Sequence, residues 1–272
     1  MSRVQYALKY IDSLPFSITI RHYFPFNDRT TLLKNGEISS SKAWDTLRQK
    51  HPNFSISENR VEWLKAAEAQ VEKDGQDKGL VRRAKDVVEV IERLGVTKVF
   101  SAGVGGAGLE YQIKKLKPEL YLTCSEYSPV AVGALKKVFT ECDSVVLFDM
   151  NTGDWHLAID KTQTREKQLC ILSRIDIDLT NKQFRNIFKN MHAAGIRNVL
   201  VITCVDLTLY DLVSRMYHRI LGHLRGVYYV FAGYLRSKRA FIDLWSPFYN
   251  HTELTCGGLK SFLLEIKNDT EK

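Results

Sequence analysis

The sequence predicts an α/β fold: a seven-stranded, mostly parallel sheet covered by helices, closed by a terminal antiparallel hairpin and preceded by a helical N-terminal cap. Three observations carry this. From residue 80 onward, short continuous apolar runs alternate with stretches whose apolar residues recur at helical spacing. A glycine-rich loop, Gly103-Val104-Gly105-Gly106-Ala107-Gly108, lies between the first such run and the helix after it. The chain closes on two strand-like runs separated by Thr255-Cys256-Gly257-Gly258, which reads as a hairpin.

The elements follow in order. Leu80, Ala84, Val87, Val88, Ile91 and Leu94 mark a helix that Gly95 ends, because glycine accepts the left-handed conformation after a last helical turn. Residues 97–102 form the first strand, and the helix after the glycine loop runs to Lys117, where Pro118 stops it. Leu120 to Cys124 is the second strand, stopping at Ser125-Glu126. Ser128 is placed to cap a helix with Pro129 at its first position, and Val130, Ala134, Leu135 and Val138 form its buried stripe. Residues 144–148 are the third strand, ending at Asp149, and 168–173 the fourth. Thr180 and Gln183 make a capping box for a helix buried along Phe184, Ile187, Phe188 and Met191 and closed by Gly195. Asn198 to Thr203 is the fifth strand. Unbroken apolar strands between helices require a parallel sheet covered on both faces. Next come a helix at about 207–221, an extended aromatic stretch at 227–231, a short helix at 238–245, and the hairpin of 248–254 with 260–267. An alternative makes the hairpin from 227–235 and 239–245.

Residues 1–79 lack this alternation. Residues 42–50 and 58–73 read as helices, so the segment is expected to be a cap packed on the domain formed by 80–272. The 272 residues carry a formal charge of +8, but the excess is +3 in 1–95, +3 in 96–200 and +2 in 201–272. So even a spread gives no basic arm of the kind nucleic-acid binders show. No run reaches the ~18–20 apolar residues of a membrane span. Lys9 and Asp12 interrupt the stretch a secretion signal would need, and the five cysteines, odd in number and without zinc spacing, suit a reducing cytoplasm.

The chemistry is expected at the glycine loop. Glycines there allow a sharp turn and close approach of a ligand to the backbone, while the helix that follows presents unpaired N–H groups. Glu126, at the end of the next strand, is placed to accept both hydroxyl protons of a ribose. Two cofactor classes share this arrangement, the nicotinamide or flavin dinucleotides and S-adenosylmethionine.

The stretches VFSAGVGGAG, TCSEY, VVLFDM, QLCILSRIDIDL and AAGIRNVLVI, followed by the closing hairpin, resemble the class I (Rossmann-like) S-adenosylmethionine-dependent methyltransferases over roughly residues 80–272. The resemblance implies that Gly103, Gly105 and Gly108 face the methionine and ribose of the cofactor. It further implies that Glu126 holds the ribose hydroxyls, Tyr127 packs on the adenine, and Asp149 with Met150 binds the adenine edge. Ser173 and Arg174 would face the methyl group and the substrate. The family's acid two residues before the first glycine is Ser101 here.

A small-molecule acceptor is the leading expectation, with its pocket shaped by the N-terminal cap and a 205–246 insertion. Methyl transfer needs a base only if the acceptor must lose a proton; Asp176, Asp206 and, more remotely, Tyr234 or His22 are the candidates. Asp176 and Asp178 alone are weak grounds for a metal, and none is expected. No Asn-Pro-Pro-Tyr or Asp-Pro-Pro-Tyr follows the fourth strand, which argues against the amino-methylating enzymes known by that signature. RNA or protein methylation is the second reading, favoured if Arg215, Arg219, Arg236, Lys238 and Arg239 gather into a basic groove. A nicotinamide-dependent oxidoreductase is the third.

Overall fold

In the computed structural model, residues 16–26, 55–69, 72–73, 76–77, 79–159, 167–204 and 207–267 are described. Strand β1 (Thr19–Phe26) precedes helix α1 (Arg60–Ala69), and the short pair β2 (Glu72–Lys73) and β3 (Gln76–Asp77) follows. The alternating part comprises α2 (Leu80–Arg93), β4 (Lys98–Ala102), α3 (Gly108–Leu116), β5 (Tyr121–Glu126), α4 (Pro129–Val138), β6 (Ser144–Leu147), β7 (Gln168–Ser173), α5 (Asn181–Ala194) and β8 (Asn198–Ile202). The chain continues through α6 (Leu209–Leu224), β9 (Tyr228–Arg236), α7 (Lys238–Trp245), β10 (Tyr249–Cys256) and β11 (Leu259–Ile266).

The local signals act as expected. Gly95 lies at φ 61 and donates to the Glu92 carbonyl. Ser128 accepts from Ala131 N–H, and Thr180 with Gln183 closes a full capping box. The polar turn between the last two strands has Gly257 and Gly258 at φ 58 and 78, the pair of positive angles that a two-residue hairpin demands. Its backbone sits tight against the start of α2: a Cβ on Gly257 would lie 2.4 Å from the Gly79 carbonyl oxygen and 2.6 Å from Arg83 Cβ.

The main sheet has seven strands in the order β6-β5-β4-β7-β8-β11-β10. Neighbours from β6 to β8 are parallel; β11 is antiparallel to both β8 and β10. Each strand feeds two cores because its side chains alternate between faces. Val99, Leu200, Ile202 and Leu263 pack with Ala84, Ile91, Ile113 and Leu135 on one face. Phe100, Val199, Val201 and Phe262 pack with Phe184, Phe188, Phe241 and Trp245 on the other. Strand order reverses beside β4, whose neighbours β5 and β7 carry the chain to opposite sides, so a crevice opens at the carboxyl ends of β4 and β7.

The 238–245 segment is helical, capped by Ser237, so the hairpin is the one formed by β10 and β11 and not the alternative through 239–245. Two expectations for the rest need revising. Residues 1–79 are not helical throughout: Thr19–Phe26 pairs antiparallel with β9 as a two-stranded ribbon, bulged between His22 and Tyr23. The alternating, aromatic and β-branched run Thr-Ile-Arg-His-Tyr-Phe suits a strand, but its partner lies over 200 residues away. The helix expected over 58–73 ends at Ala69, and the one over 42–50 lies outside the described residues. Among the described residues no helix is long and apolar enough to cross a membrane.

Candidate functional site

Two joined cavities occupy the crevice. The smaller, about 190 Å³, is lined by Glu126, Tyr127, Asp149, Met150, Asn151 and Asp178 among others; the larger, about 540 Å³, runs along the glycine loop to α1 and α2. Gly103, Gly105 and Arg174 border both.

The loop between β4 and α3 is shaped by its backbone. Gly103 lies at φ 69, and its N–H and that of Val104 both donate to the Ser125 carbonyl, at 2.9 and 3.2 Å. A Cβ at Gly103 would meet Ile175 Cγ2 at 3.0 Å and Met150 Cε at 3.3 Å, which is why only glycine fits without a shift in its neighbours. Gly105, at φ 56, has open space where a Cβ would point. The loop is tied to the acid on the next strand: Glu126, 2% exposed, accepts from Gly105 N–H at 3.0 Å and from Tyr127 N–H at 3.1 Å. A carboxylate has about four acceptor sites, so holding the loop is compatible with holding a diol.

Asp149 lines the smaller cavity as expected, but both its oxygens also serve a turn: Oδ1 accepts from Asn151 N–H at 2.9 Å and Oδ2 from the Thr152 hydroxyl at 2.9 Å. The Asn151 side-chain oxygen beside it is buried with no hydrogen-bond partner, which makes it a ready acceptor for an amino group entering this cavity. A lone Asn after an acid gave no signal for this in the sequence. Met150 fixes the Trp155 indole through its carbonyl at 3.1 Å.

Ser173 ends β7 at the crevice, and Arg174 follows it. Arg174 is held at φ 59, rare for a residue with a side chain, by its N–H bond to the Ile202 carbonyl at 2.8 Å and by the Cys204 thiol donating to its own carbonyl at 3.2 Å. Such a strained conformation at the carboxyl end of a central strand aims a side chain that the regular strand would place elsewhere.

The proposed bases fare differently. Asp176 is 2% exposed and lines neither cavity; its Oδ1 accepts from Cys204 N–H at 2.9 Å, so it braces the loop after β8. Burial pushes its carboxyl above the usual range. Tyr234 lies on the ribbon, packed edge-on to Phe231, and lines neither cavity. His22 lies in a separate recess between the ribbon and α6, against Arg215; burial, then the Arg215 charge, lowers it to about 4. Asp206 lies outside the described residues. No group of three or more metal-ligating side chains occurs among the described residues.

Asp178, weighed from sequence only as half of a weak metal pair, does reach the smaller cavity. Burial pushes it up to about 7, and the nearby charges of Asp176 and Glu126 add to the rise. A folded-state pKa above the ordinary carboxylate value of about 3.9 means the folded chain binds this proton more tightly than the unfolded one. Its contribution therefore favours folding most at acid pH and is lost as pH climbs from about 4 through about 7. Thermal melts of Asp178→Asn should show a smaller fall in Tm between about pH 5 and about pH 8 than wild type, with a gain at the upper end. Parallel curves for the two proteins would contradict this.

The larger cavity is roofed by α1. Trp63, 3% exposed, donates its indole N–H to the Gly106 carbonyl at 2.9 Å and packs edge-on to Tyr111 with centroids 5.3 Å apart. Arg60 pairs with Glu141 at 2.6 Å and donates to the Val138 carbonyl at 2.7 Å. Ile56, Ala66 and Ala67 complete this wall. None of the described residues of 205–246 lines either cavity; that stretch instead pairs with β1. Ser101 donates its hydroxyl to Glu110 Oε1 at 2.6 Å, so a carboxyl from α3 stands beside the position where the resembling family carries its acid.

Solved structures share this architecture. The chain matches human N-acetylserotonin methyltransferase, solved in complex with S-adenosylmethionine, at TM-score 0.53 and 15% identity, over 84% of this chain and 57% of that one. It matches TnmH at TM-score 0.53 and 15% identity, over 83% and 61%. A putative O-methyltransferase from Nostoc punctiforme matches at TM-score 0.51 and 10% identity, over 85% and 70%.

The chain has a methyltransferase fold.

It spans less than two thirds of the first two structures. No protein-family model and no curated protein matches the sequence. Within the methyltransferase fold, the reversed strand β11 lies between the fifth parallel strand and β10, whereas a dinucleotide-binding sheet of order 3-2-1-4-5-6 has no such insertion.

Proposed function

We propose that the chain is an S-adenosylmethionine-dependent methyltransferase acting on a small organic acceptor. The observation that carries this is the Glu126 carboxylate, buried at the end of β5 and bonded to the glycine loop, with paired cavities on either side of that loop. In this reading Glu126 holds the ribose hydroxyls, while Tyr127, Asp149, Met150 and the unpartnered oxygen of Asn151 receive the adenine. Gly103, Gly105 and Gly108 let the sulfur-bearing arm pass close to the backbone, with Ser173 and Arg174 beside it. The buried acceptor at Asn151 and the open space above Gly105 fit such a ligand.

S-adenosylmethionine held by Glu126 and the glycine loop would supply a methyl group activated by its cationic sulfur, for in-line transfer to the acceptor with the neutral thioether as leaving group. The work left to the protein is alignment and exclusion of water, which proximity and orientation accomplish without a covalent intermediate. We assign both roles to α1 of the N-terminal segment, which walls the larger cavity through Trp63, Ala66 and Ala67. Of the proposed bases, Asp176 and Tyr234 line neither cavity, so the reading needs no general base from them. A 540 Å³ cavity, walled by Ile56, Trp63, Ala66 and Ala67 on one side and by Arg83, Glu110 and Arg174 elsewhere, is of the size of a small-molecule site.

Each of the basic side chains that would have made an RNA groove already meets a partner within the chain, although Arg219 and Arg239 stay exposed. Arg236 is fully buried, Lys238 pairs with Glu253, Arg239 pairs with Asp243, and Arg219 stacks over Tyr23 at 4.2 Å. Arg215 contacts His22 at 3.0 Å. Methyl-labelled S-adenosylmethionine, offered with a panel of phenols, carboxylic acids and amines and separately with total RNA, tests the acceptor class. Label should accrue in a small product; label in RNA alone would overturn the small-molecule assignment.

A further inference from the structure

We propose that Arg83 and Glu110 form a clamp for an α-amino-acid zwitterion, Arg83 taking the carboxylate and Glu110 the ammonium, and that this clamp fixes the amino-acid end of the cofactor. The inference rests on the reading of the paired cavities as an S-adenosylmethionine site and adds to it two residues that no motif named.

Arg83 is 9% exposed and lines the larger cavity, yet its side chain makes no hydrogen bond or ion pair among the described residues, and its Nε is buried without any partner. A guanidinium buried to this degree is costly unless an anion meets it. The Gly257 turn lies close to its base, where a Cβ added to Gly257 would fall 2.6 Å from Arg83 Cβ, and Asp86, one turn further along α2, is held to that turn by Gly257 N–H at 2.6 Å. Arg174 faces the same cavity and adds a second positive charge, lowering the pKa of Arg83 after the larger effect of burial.

Glu110 supplies the opposing carboxyl. It is 2% exposed, lines the same cavity, and is oriented by the Ser101 hydroxyl at 2.6 Å; burial raises its pKa, and the Ser101 hydrogen bond and the Arg83 charge act against that rise. It forms no direct ion pair with Arg83, although each feels the other's charge. One buried cation-binding and one anion-binding group thus face a shared space from α3 and α2 without neutralising each other. A ligand carrying both charges on one carbon satisfies both. Gly103 and Gly105, the only described glycines that border both cavities, would lie between a ribose held at Glu126 and this space.

The test compares S-adenosylhomocysteine, which has the amino-acid end, with 5′-methylthioadenosine, which lacks it. Calorimetric titration of Arg83→Met and Glu110→Gln should weaken S-adenosylhomocysteine about 10- to 100-fold, the range for losing a charge-assisted hydrogen bond. Binding of 5′-methylthioadenosine should stay within about threefold of wild type, a change of under about 0.7 kcal/mol. Retained binding of that ligand also shows that the variant is folded; should Glu110→Gln fail to fold, Arg83→Met and Arg83→Gln carry the test. Unchanged affinity of Arg83→Met for S-adenosylhomocysteine, or equal losses for both ligands, would overturn the clamp. A wild-type protein that binds neither ligand would overturn the underlying site instead.

Discussion

Glu126→Ala should weaken S-adenosylhomocysteine by two orders of magnitude or more, and Glu126→Gln by roughly tenfold. The carboxylate closes the glycine loop by accepting Gly105 N–H at 3.0 Å, and in the proposed site it would also offer charged acceptors to two ribose hydroxyls. Each hydrogen bond to a charged group contributes about 1.5–3 kcal/mol, and each 1.4 kcal/mol is tenfold in affinity. Alanine removes both ligand bonds and frees the loop. Glutamine keeps one acceptor, which separates the charge from the geometry. Isothermal titration of the two variants with circular dichroism as a fold control checks this; an alanine variant within threefold of wild type would refute the ribose assignment.

Arg236→Met should cost about 3–5 kcal/mol of stability, the scale of stranding buried groups, and lower Tm by about 10 °C for a chain of this size. Arg236 has no exposed surface. Its guanidinium donates to Asn181 Oδ1 at 2.7 Å and to the carbonyls of Asp176 and Leu179. It thereby ties the last residue of β9 to the loop after β7 and to the first turn of α5. Methionine fills similar volume and leaves two buried carbonyls, of Asp176 and Leu179, without this donor, and also breaks the bond to the exposed Asn181. Burial lowers the guanidinium to about 10 and the Asp176 charge resists that shift, so the cation persists at neutral pH. Calorimetry or a circular dichroism melt reads the effect; a Tm within about 2 °C of wild type would mean that water replaces the guanidinium. Arg236 lines neither cavity, but the segment it holds, with Asp178 and Leu179, borders the smaller one, so S-adenosylhomocysteine binding measured well below the variant's Tm should weaken less than in Glu126→Ala.

Much of the fold was legible because the physics is local. Continuous apolar runs such as Val199 to Ile202 must be buried on both faces, and they are, with Val199 and Val201 in one core and Leu200 and Ile202 in the other. Thr180 with Gln183, Ser128 with Pro129, and the Gly257-Gly258 turn each encode their own geometry. Glu126 was legible for the same reason, since strand end and glycine loop fix its place.

The rest depends on partners distant in sequence. Thr19–Phe26 carries no mark of β9, and without that pairing the N-terminal segment reads as helix and turn. Arg83 sits on an amphipathic helix where an arginine ordinarily reads as solvated; only the approach of the hairpin turn and α1 buries it. Glu110 is equally ordinary in sequence until Ser101 is seen beside it. Asp176 shows the converse. Its place at the carboxyl edge of β7 is as expected, but the backbone turn through Arg174 sends its carboxyl to Cys204 N–H and not to the crevice.

The central claim is tested most directly by titrating the wild-type protein with S-adenosylhomocysteine and, in parallel, with NAD. Saturable binding of S-adenosylhomocysteine with a Kd of about 100 µM or tighter, some 5.5 kcal/mol of binding free energy, and no saturation by NAD is the predicted result. Saturation by NAD, or no S-adenosylhomocysteine binding up to about 1 mM, a threshold of about 4 kcal/mol, would contradict it.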